Sequence, residues 1–140
     1  LSIDKLGQVI QADDGFLLVV SYNPGYQNAV KDLKHSTRQR FVAIEFDFPD
    51  VDRETKIIAH ESGLEEGMSN QLAVLGQKIR NLREHGLEEG ASTRLLIYAA
   101  RLIKQGISPK RACQVALTWG ITDELQIQET VDQIVSSIFE

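Results

Sequence analysis

The sequence contains one cysteine, Cys113, among its 140 residues. A single thiol cannot form an internal disulfide, and it excludes the cysteine-rich metal sites of small metal-stapled domains. The three histidines, His35, His60 and His85, lie 25 residues apart and match no metal-ligand spacing. We therefore predict no metal site in this sequence. Aromatic residues make up only 6% of the chain, which favours helical packing over a β-sandwich.

Long apolar runs and an excess of positive charge are also missing. No run approaches the ~18 apolar residues that a membrane span needs, and the sequence has no basic-then-apolar secretory start. The net charge of −5 argues against a nonspecific nucleic-acid binder, which depends on a basic field. At 42% hydrophobic and 25% charged, the composition is that of a globular domain. We expect a cytoplasmic protein.

The hydrophobic pattern changes at Pro49. Before it, residues 1–12 predict short strands about a turn, and Gln27 to Lys34 can form a short helix. Phe16 to Val20 is a continuous apolar run, and apolar residues alternate from Phe41 to Phe48. A continuous run of this kind is typical of a parallel sheet, which binds ligands at the carboxyl ends of its strands. Residues 1–49 therefore read as part of an α/β layer.

After Pro49 the apolar residues recur with the period of an α-helix. The pattern predicts helices from an Asp50 or Asp52 cap to about Ser62, from Ser69 to Glu84, from a Ser92 or Thr93 cap to Gly106, from Ser108 through Trp119, and from an Asp123 cap through Ile138. The predicted fold class is mainly α, with a helical unit over residues 50–140 that follows the last strands of an α/β layer.

The apolar pattern of one of these helices predicts which of its residues face the core. In the helix that begins at Ser108, the core-facing residues are expected to be Ala112, Val115, Ala116 and Trp119. Cys113 is expected on this inner face, beside Ala112 and Ala116, so we expect a packed thiol rather than a nucleophile.

Three features could carry a function, and each has a plain alternative. Asn23 follows the first long strand and could hold a water or a phosphate oxygen, but Asn-Pro-Gly is also ordinary turn chemistry. The basic decade that ends with Arg38 and Arg40 could bind phosphate or could be a solvated helix face. Arg94 opposes the dipole of its helix, and such conflicts often mark function. It could equally pair with the acidic residues just before it, Glu88 and Glu89.

Three segments of the chain resemble the MoxR branch of the AAA+ ATPases, with the CbbQ/NorQ (NirQ) subgroup the closest. They are Asn-Pro-Gly-Tyr-Gln at residues 23–27, Lys-Asp-Leu-Lys-His-Ser-Thr-Arg-Gln-Arg-Phe at 31–41, and Gly-Leu-Glu-Glu-Gly-Ala-Ser-Thr-Arg at 86–94. The resemblance implies that residues 1–49 are the carboxyl-terminal part of the AAA+ α/β core. It implies that residues 50–140 are the helical lid.

The resemblance also implies roles for four polar residues. Asn23 matches the sensor-one residue, which positions the attacking water. Arg40 matches the arginine finger that reaches the nucleotide of the adjacent subunit, and Arg38 is a second candidate for it. Arg94 matches the sensor-two arginine, which contacts nucleotide within its own subunit.

For the complete protein, the resemblance implies a ring-forming ATPase that uses ATP and Mg²⁺, acts as a hexamer and remodels a partner enzyme in a chaperone-like way. The implied client is an enzyme of the Rubisco or nitric oxide reductase type. The implied partner is an adaptor with a von Willebrand factor A domain.

The sequence departs from the family pattern in one large respect. It has no Gly-x-x-x-x-Gly-Lys-Ser/Thr loop and no Asp-Glu pair at the end of an apolar strand, the elements that cradle phosphates and hold Mg²⁺. We therefore expect the chain to be the carboxyl-terminal half of such an ATPase. We also expect that these 140 residues alone neither hydrolyse ATP nor bind it tightly.

This departure has a consequence for the two predicted strands. In the family's sheet they would be separated by the missing phosphate-loop strand, which leaves their edges unpaired. We therefore expect residues 1–49 to be poorly ordered, rearranged or paired between copies, and residues 50–140 to fold as a compact helical unit. The residues themselves leave one other reading open, a non-catalytic helical interaction module whose arginines serve a protein interface.

Overall fold

The computed structural model of the chain describes residues 2, 3, 5, 7–9, 11–21, 36, 39–82 and 90–139. The chain divides into two compact units, Leu1–Ile44 and Glu45–Glu140, whereas the sequence pattern changes at Pro49. The helix predicted for residues 27–34 lies outside the described residues.

The first unit contains a small antiparallel hairpin. Its strands are β1, Ser2–Ile3, and β2, Gln8–Val9. In this pair Ser2 lies opposite Val9, and Ile3 lies opposite Gln8. The hairpin confirms the short strands about a turn that the sequence predicts for residues 1–12.

The two longer predicted strands are not formed. Residues 16–20 and 41–48 have no strand assignment, and most of their apolar side chains are exposed, with Leu17 at 80% and Val42 at 93%. A strand needs a neighbour for its backbone hydrogen bonds, and the described part of this chain pairs neither segment with one. The strand prediction for Phe16–Val20 and Phe41–Phe48 is therefore wrong for this chain, although the apolar pattern itself is present.

The second unit is helical, as predicted, and has one continuous core. The helices are α1, Val51–Ser62; α2, Glu66–Arg80; α3, Thr93–Lys104; α4, Pro109–Cys113; a π-helical segment, Gln114–Thr118; α5, Trp119–Ile121; and α6, Leu125–Ile138. Helix α1 packs against α2 and α3, and α6 packs against α2. The largest buried apolar side chains are those of Ile58, Leu72, Leu75, Ile79, Leu96, Leu117 and Val131. Within the residues that the structure describes, none of these helices has the length and apolar character of a membrane span.

Several helix ends differ from the predicted ones. Helix α2 begins at Glu66, ahead of the predicted Ser69, and ends at Arg80, followed by a short 3₁₀ turn. The last helix begins after Glu124, and Asp123 does not cap it. The predicted end of α2, with its glycine cap, lies outside the described residues. These differences are small because the apolar stripes, which the sequence does show, fix which face of each helix is buried.

The cap of α1 is Asp50. One of its carboxylate oxygens accepts a hydrogen bond of 2.8 Å from the backbone N–H of Arg53. Asp52 lies in the first turn and is exposed. Helix α1 ends at Gly63, whose φ of 68° is the left-handed conformation that a glycine cap adopts without strain.

Asp50→Ala is expected to lower the free energy of unfolding of the chain by about 1 kcal/mol, because the N–H of Arg53 then loses its acceptor. Asp52→Ala removes only an interaction with the helix dipole and is expected to cost about 0.3 kcal/mol. Urea denaturation followed by circular dichroism measures both changes. An equal or larger loss for Asp52→Ala would show that the cap is assigned to the wrong residue.

In the helical run after Ser108, the prediction of the core-facing residues is partly wrong. Ala112 is buried, as predicted, but Val115 and Trp119 are 42% and 49% exposed, and Leu117 is buried in their place. A π-helical turn takes up one extra residue, so it rotates the residues that follow relative to an α-helical count. A strict period of 3.6 therefore assigns the wrong residues to the core beyond residue 113.

Cys113 is a packed thiol, as predicted. Its side chain is fully buried, and burial, with a smaller contribution from the charge of Asp132, raises the pKa of the thiol to about 12. The thiolate, which is the nucleophilic form, is therefore negligible near neutral pH.

Candidate functional site

Arg94 lies in the first turn of α3 and is exposed. The residue that caps this helix, Ser92, has an extended backbone and makes no side-chain hydrogen bond to the first turn. The first turn contains no acidic residue. The N–H groups at the start of a helix have no partners within it, and together with the helix dipole they favour an anion. An exposed guanidinium beside them strengthens that preference.

The alternative role of Arg94, an ion pair with nearby acids, stays open. Among residues 39–82 and 90–139, Arg94 has no ion-pair partner. The two acids that the alternative invokes, Glu88 and Glu89, lie outside the described residues.

A buried ion pair contacts the start of α3. Glu54, on α1, is only 1% exposed, and the side chain of Arg80, at the end of α2, is 10% exposed. The guanidinium donates two hydrogen bonds to the carboxylate, from Nη1 to Oε2 at 2.8 Å and from Nη2 to Oε1 at 2.6 Å. This bidentate geometry is the strong form of a charge-assisted hydrogen bond.

The same pair holds the residues that precede Arg94. Nε of Arg80 donates to the backbone carbonyl of Ala91 at 2.7 Å, and the hydroxyl of Thr93 donates to Oε1 of Glu54 at 2.6 Å. The guanidinium carbon of Arg80 also lies 3.9 Å from the ring centroid of Phe48, a cation–π contact. We call these five residues, Phe48, Glu54, Arg80, Ala91 and Thr93, the Arg80 cluster.

Gly90 allows the segment before α3 to approach the cluster closely. A Cβ atom at this position would lie 3.2 Å from the Cα atom of Arg80 and 2.9 Å from its Cγ atom. A side chain at residue 90 would therefore push the start of α3 away from the end of α2.

The Arg80 cluster was not predicted from the sequence, although the sequence contains a signal for it. Glu54 lies three residues after Val51 and four before Ile58, so it occupies the inward face of α1. Arg80 lies eight residues after Leu72 and four after Gly76, both of which are buried on α2. A charge on the inward face of a helix needs a buried partner, and two such charges of opposite sign could have been paired from the sequence.

The other predicted site residues are not brought together by what the structure describes. Arg40 is exposed in a turn with Gln39, in the first unit. Asn23 and Arg38 lie outside the described residues. The roles of Asn23, Arg38, Arg40 and Arg94 stay predictions.

The described residues offer little to a metal ion. His60 is exposed and lies 3.4 Å from the carboxylate of Glu61. In the part of the chain that the structure describes, no group of three or more His, Cys, Asp or Glu side chains could hold a metal.

Comparison with known proteins identifies a family. Residues 54–138 match the family model described as "CbbQ/NirQ/NorQ C-terminal". The chain is 53% identical over 124 residues to the denitrification regulatory protein NirQ of Pseudomonas aeruginosa, covering 89% of this chain and 48% of that protein.

Two further relatives are similar over nearly the whole chain. Protein NorQ of Paracoccus denitrificans is 49% identical over 139 residues, and protein CbbQ of Hydrogenophilus thermoluteolus is 46% identical over 139 residues. Each alignment covers 99% of this chain and 52% of the relative. The chain thus spans about half the length of the curated relatives it matches.

Proposed function

Since this chain belongs to the CbbQ/NirQ/NorQ family, we propose that it supplies the sensor residues and helical lid of a MoxR-type AAA+ ATPase. The observation that carries the proposal is the exposed Arg94 at the start of α3, where the preceding residues Ala91 and Thr93 are hydrogen-bonded by the Arg80 cluster. An arginine at this position has the charge and the donors to contact the phosphates of ATP.

The residues of the chain fit part of an ATP site. Arg94 would contact the nucleotide of its own subunit, and Arg40 would reach the nucleotide of a neighbour, where an arginine finger stabilises the charge on the transferring phosphoryl group. Asn23 would position the attacking water. Mg²⁺ would be held by the half of the complete protein that carries the phosphate loop and the Asp-Glu pair.

The complete protein would be a ring-forming hexamer, in which Arg40 would act at a site shared with the adjacent subunit. It would use ATP hydrolysis in the cytoplasm to remodel or mature a partner enzyme with the help of an adaptor that has a von Willebrand factor A domain. The client would be an enzyme of the nitric oxide reductase or Rubisco type, and the name of one relative, a denitrification regulatory protein, supports the first of these.

Steady-state ATP hydrolysis tests this proposal. The full-length protein, in which this chain follows a phosphate-loop half, is expected to hydrolyse ATP, while the 140-residue chain alone is expected to show no turnover above a mock preparation. Turnover by the chain alone would contradict the assignment of phosphate loop and Mg²⁺ site to the other half. A full-length protein that binds a client but never hydrolyses ATP would favour the non-catalytic interaction module instead.

A further inference from the structure

We propose that Thr93 and the Glu54–Arg80 pair act as positioning residues for Arg94, setting the guanidinium where it meets the nucleotide. This inference rests on the proposed function, since it needs Arg94 to contact phosphate. It assigns a role in nucleotide binding to three residues that do not themselves face the ligand.

The start of α3 lacks the local device that usually fixes a helix terminus. A side-chain cap normally holds the first turn, but Ser92 makes no such bond. The bonds that hold this terminus are long-range instead, because Thr93 reaches Glu54 across 39 residues of sequence and Ala91 is bonded to Arg80 across 11. The residue directly before Arg94 and the one three before it are therefore both tied to the same ion pair.

The charge balance of the cluster suits this role. Glu54 is buried, and its carboxylate accepts from both Arg80 and Thr93, so its negative charge is compensated within the cluster. A compensated carboxylate competes little with a phosphate for a nearby guanidinium. The cluster therefore holds the residues before Arg94, and within the described residues it makes no ion pair with Arg94 itself.

The geometry of the ion pair also limits how α3 can move. Two parallel hydrogen bonds fix the plane of the Arg80 guanidinium, and the ring of Phe48 lies 3.9 Å from its guanidinium carbon. The third nitrogen of the guanidinium, Nε, then donates to the carbonyl of Ala91. A shift of the first turn of α3 must break these bonds or move α1 and α2 with it.

Thr93→Val in the full-length protein tests the inference, because it removes the 2.6 Å hydrogen bond to Glu54 at nearly constant volume. Binding of a fluorescent, non-hydrolysable ATP analogue is expected to weaken about tenfold, the loss typical of one hydrogen bond to a charged group. Thr93→Ser keeps the hydroxyl and is expected to bind as the wild type does. Thr130→Val is the matched control, since the exposed Thr130 donates its hydrogen bond within its own helix, to the carbonyl of Gln126.

The combination with Arg94→Ala separates positioning from a general loss of stability. If Thr93 acts through Arg94, Thr93→Val adds nothing to the loss caused by Arg94→Ala, whereas independent effects multiply. Binding is measured well below the melting temperature of each variant, and Thr93→Ala replaces Thr93→Val if the latter does not fold.

The two proposals fail in different ways. Multiplying losses, or wild-type binding by Thr93→Val beside weakened binding by Arg94→Ala, would overturn the positioning role alone. Wild-type binding by Arg94→Ala would overturn the nucleotide contact itself, and the positioning role with it.

Discussion

Arg80→Met is expected to lower the free energy of unfolding of the 140-residue chain by about 3–5 kcal/mol, the cost of breaking a buried ion pair by removing one partner. The physical reason is the carboxylate of Glu54, which is 1% exposed and would lose both bonds from the guanidinium. The carbonyl of Ala91 would lose its donor as well. A loss of this size is a large share of the ~5–15 kcal/mol that stabilises a typical domain.

Urea denaturation followed by circular dichroism measures this change, with two further variants as controls. Arg101→Met removes an exposed arginine that makes one bond of 3.2 Å to a backbone carbonyl, and should change stability by less than about 0.5 kcal/mol. The double variant Glu54→Met with Arg80→Met replaces the whole pair by apolar side chains and should recover most of the loss. Wild-type stability of Arg80→Met would show that the pair does not hold the unit together.

The helical unit could be predicted from the sequence because its helices depend on local pattern. Apolar stripes such as Leu72, Leu75 and Ile79 identify the face that each helix buries, and those three residues are fully buried. The cap at Asp50 needed the structure only to separate it from Asp52.

The two longer predicted strands do not form in this chain, because a strand depends on a neighbour as well as on its own residues. Phe16–Val20 has the apolar, β-branched composition of a buried strand, yet it forms none in this chain. Backbone pairing is a property of two segments, so the sequence of one segment cannot establish it.

The core-facing residues beyond Cys113 depend on a π-helical turn, which changes the period within a single helical run. The Arg80 cluster depends on three segments that meet only in the folded unit. Glu54 is hydrogen-bonded to Arg80, 26 residues away, and to Thr93, 39 residues away. The sequence showed Arg94 itself and the resemblance gave it a role, but neither showed the residues that hold it. Local pattern thus identifies the exposed half of this candidate site, and tertiary packing identifies the buried half.

Arg40→Ala is expected to have the largest effect on activity of any single change in this chain. An arginine finger acts on the charge that develops during phosphoryl transfer, so it contributes to turnover far more than to nucleotide binding. Arg40 is exposed in a turn, as a residue that reaches another subunit must be. Arg38 remains the other candidate for the finger, and Arg53→Ala, on an exposed arginine of α1, is the matched control.

The central claim is that this chain supplies residues that act on ATP at the junction between subunits. Its most direct test is the steady-state turnover of the full-length Arg40→Ala protein at saturating ATP, with binding of an ATP analogue measured in parallel. We expect a kcat lower by about 10³–10⁵-fold with nucleotide affinity nearly unchanged, and a rate close to wild type for Arg53→Ala. Loss of turnover in Arg38→Ala alone would move the finger to that residue. Wild-type turnover by both Arg38→Ala and Arg40→Ala would contradict the account.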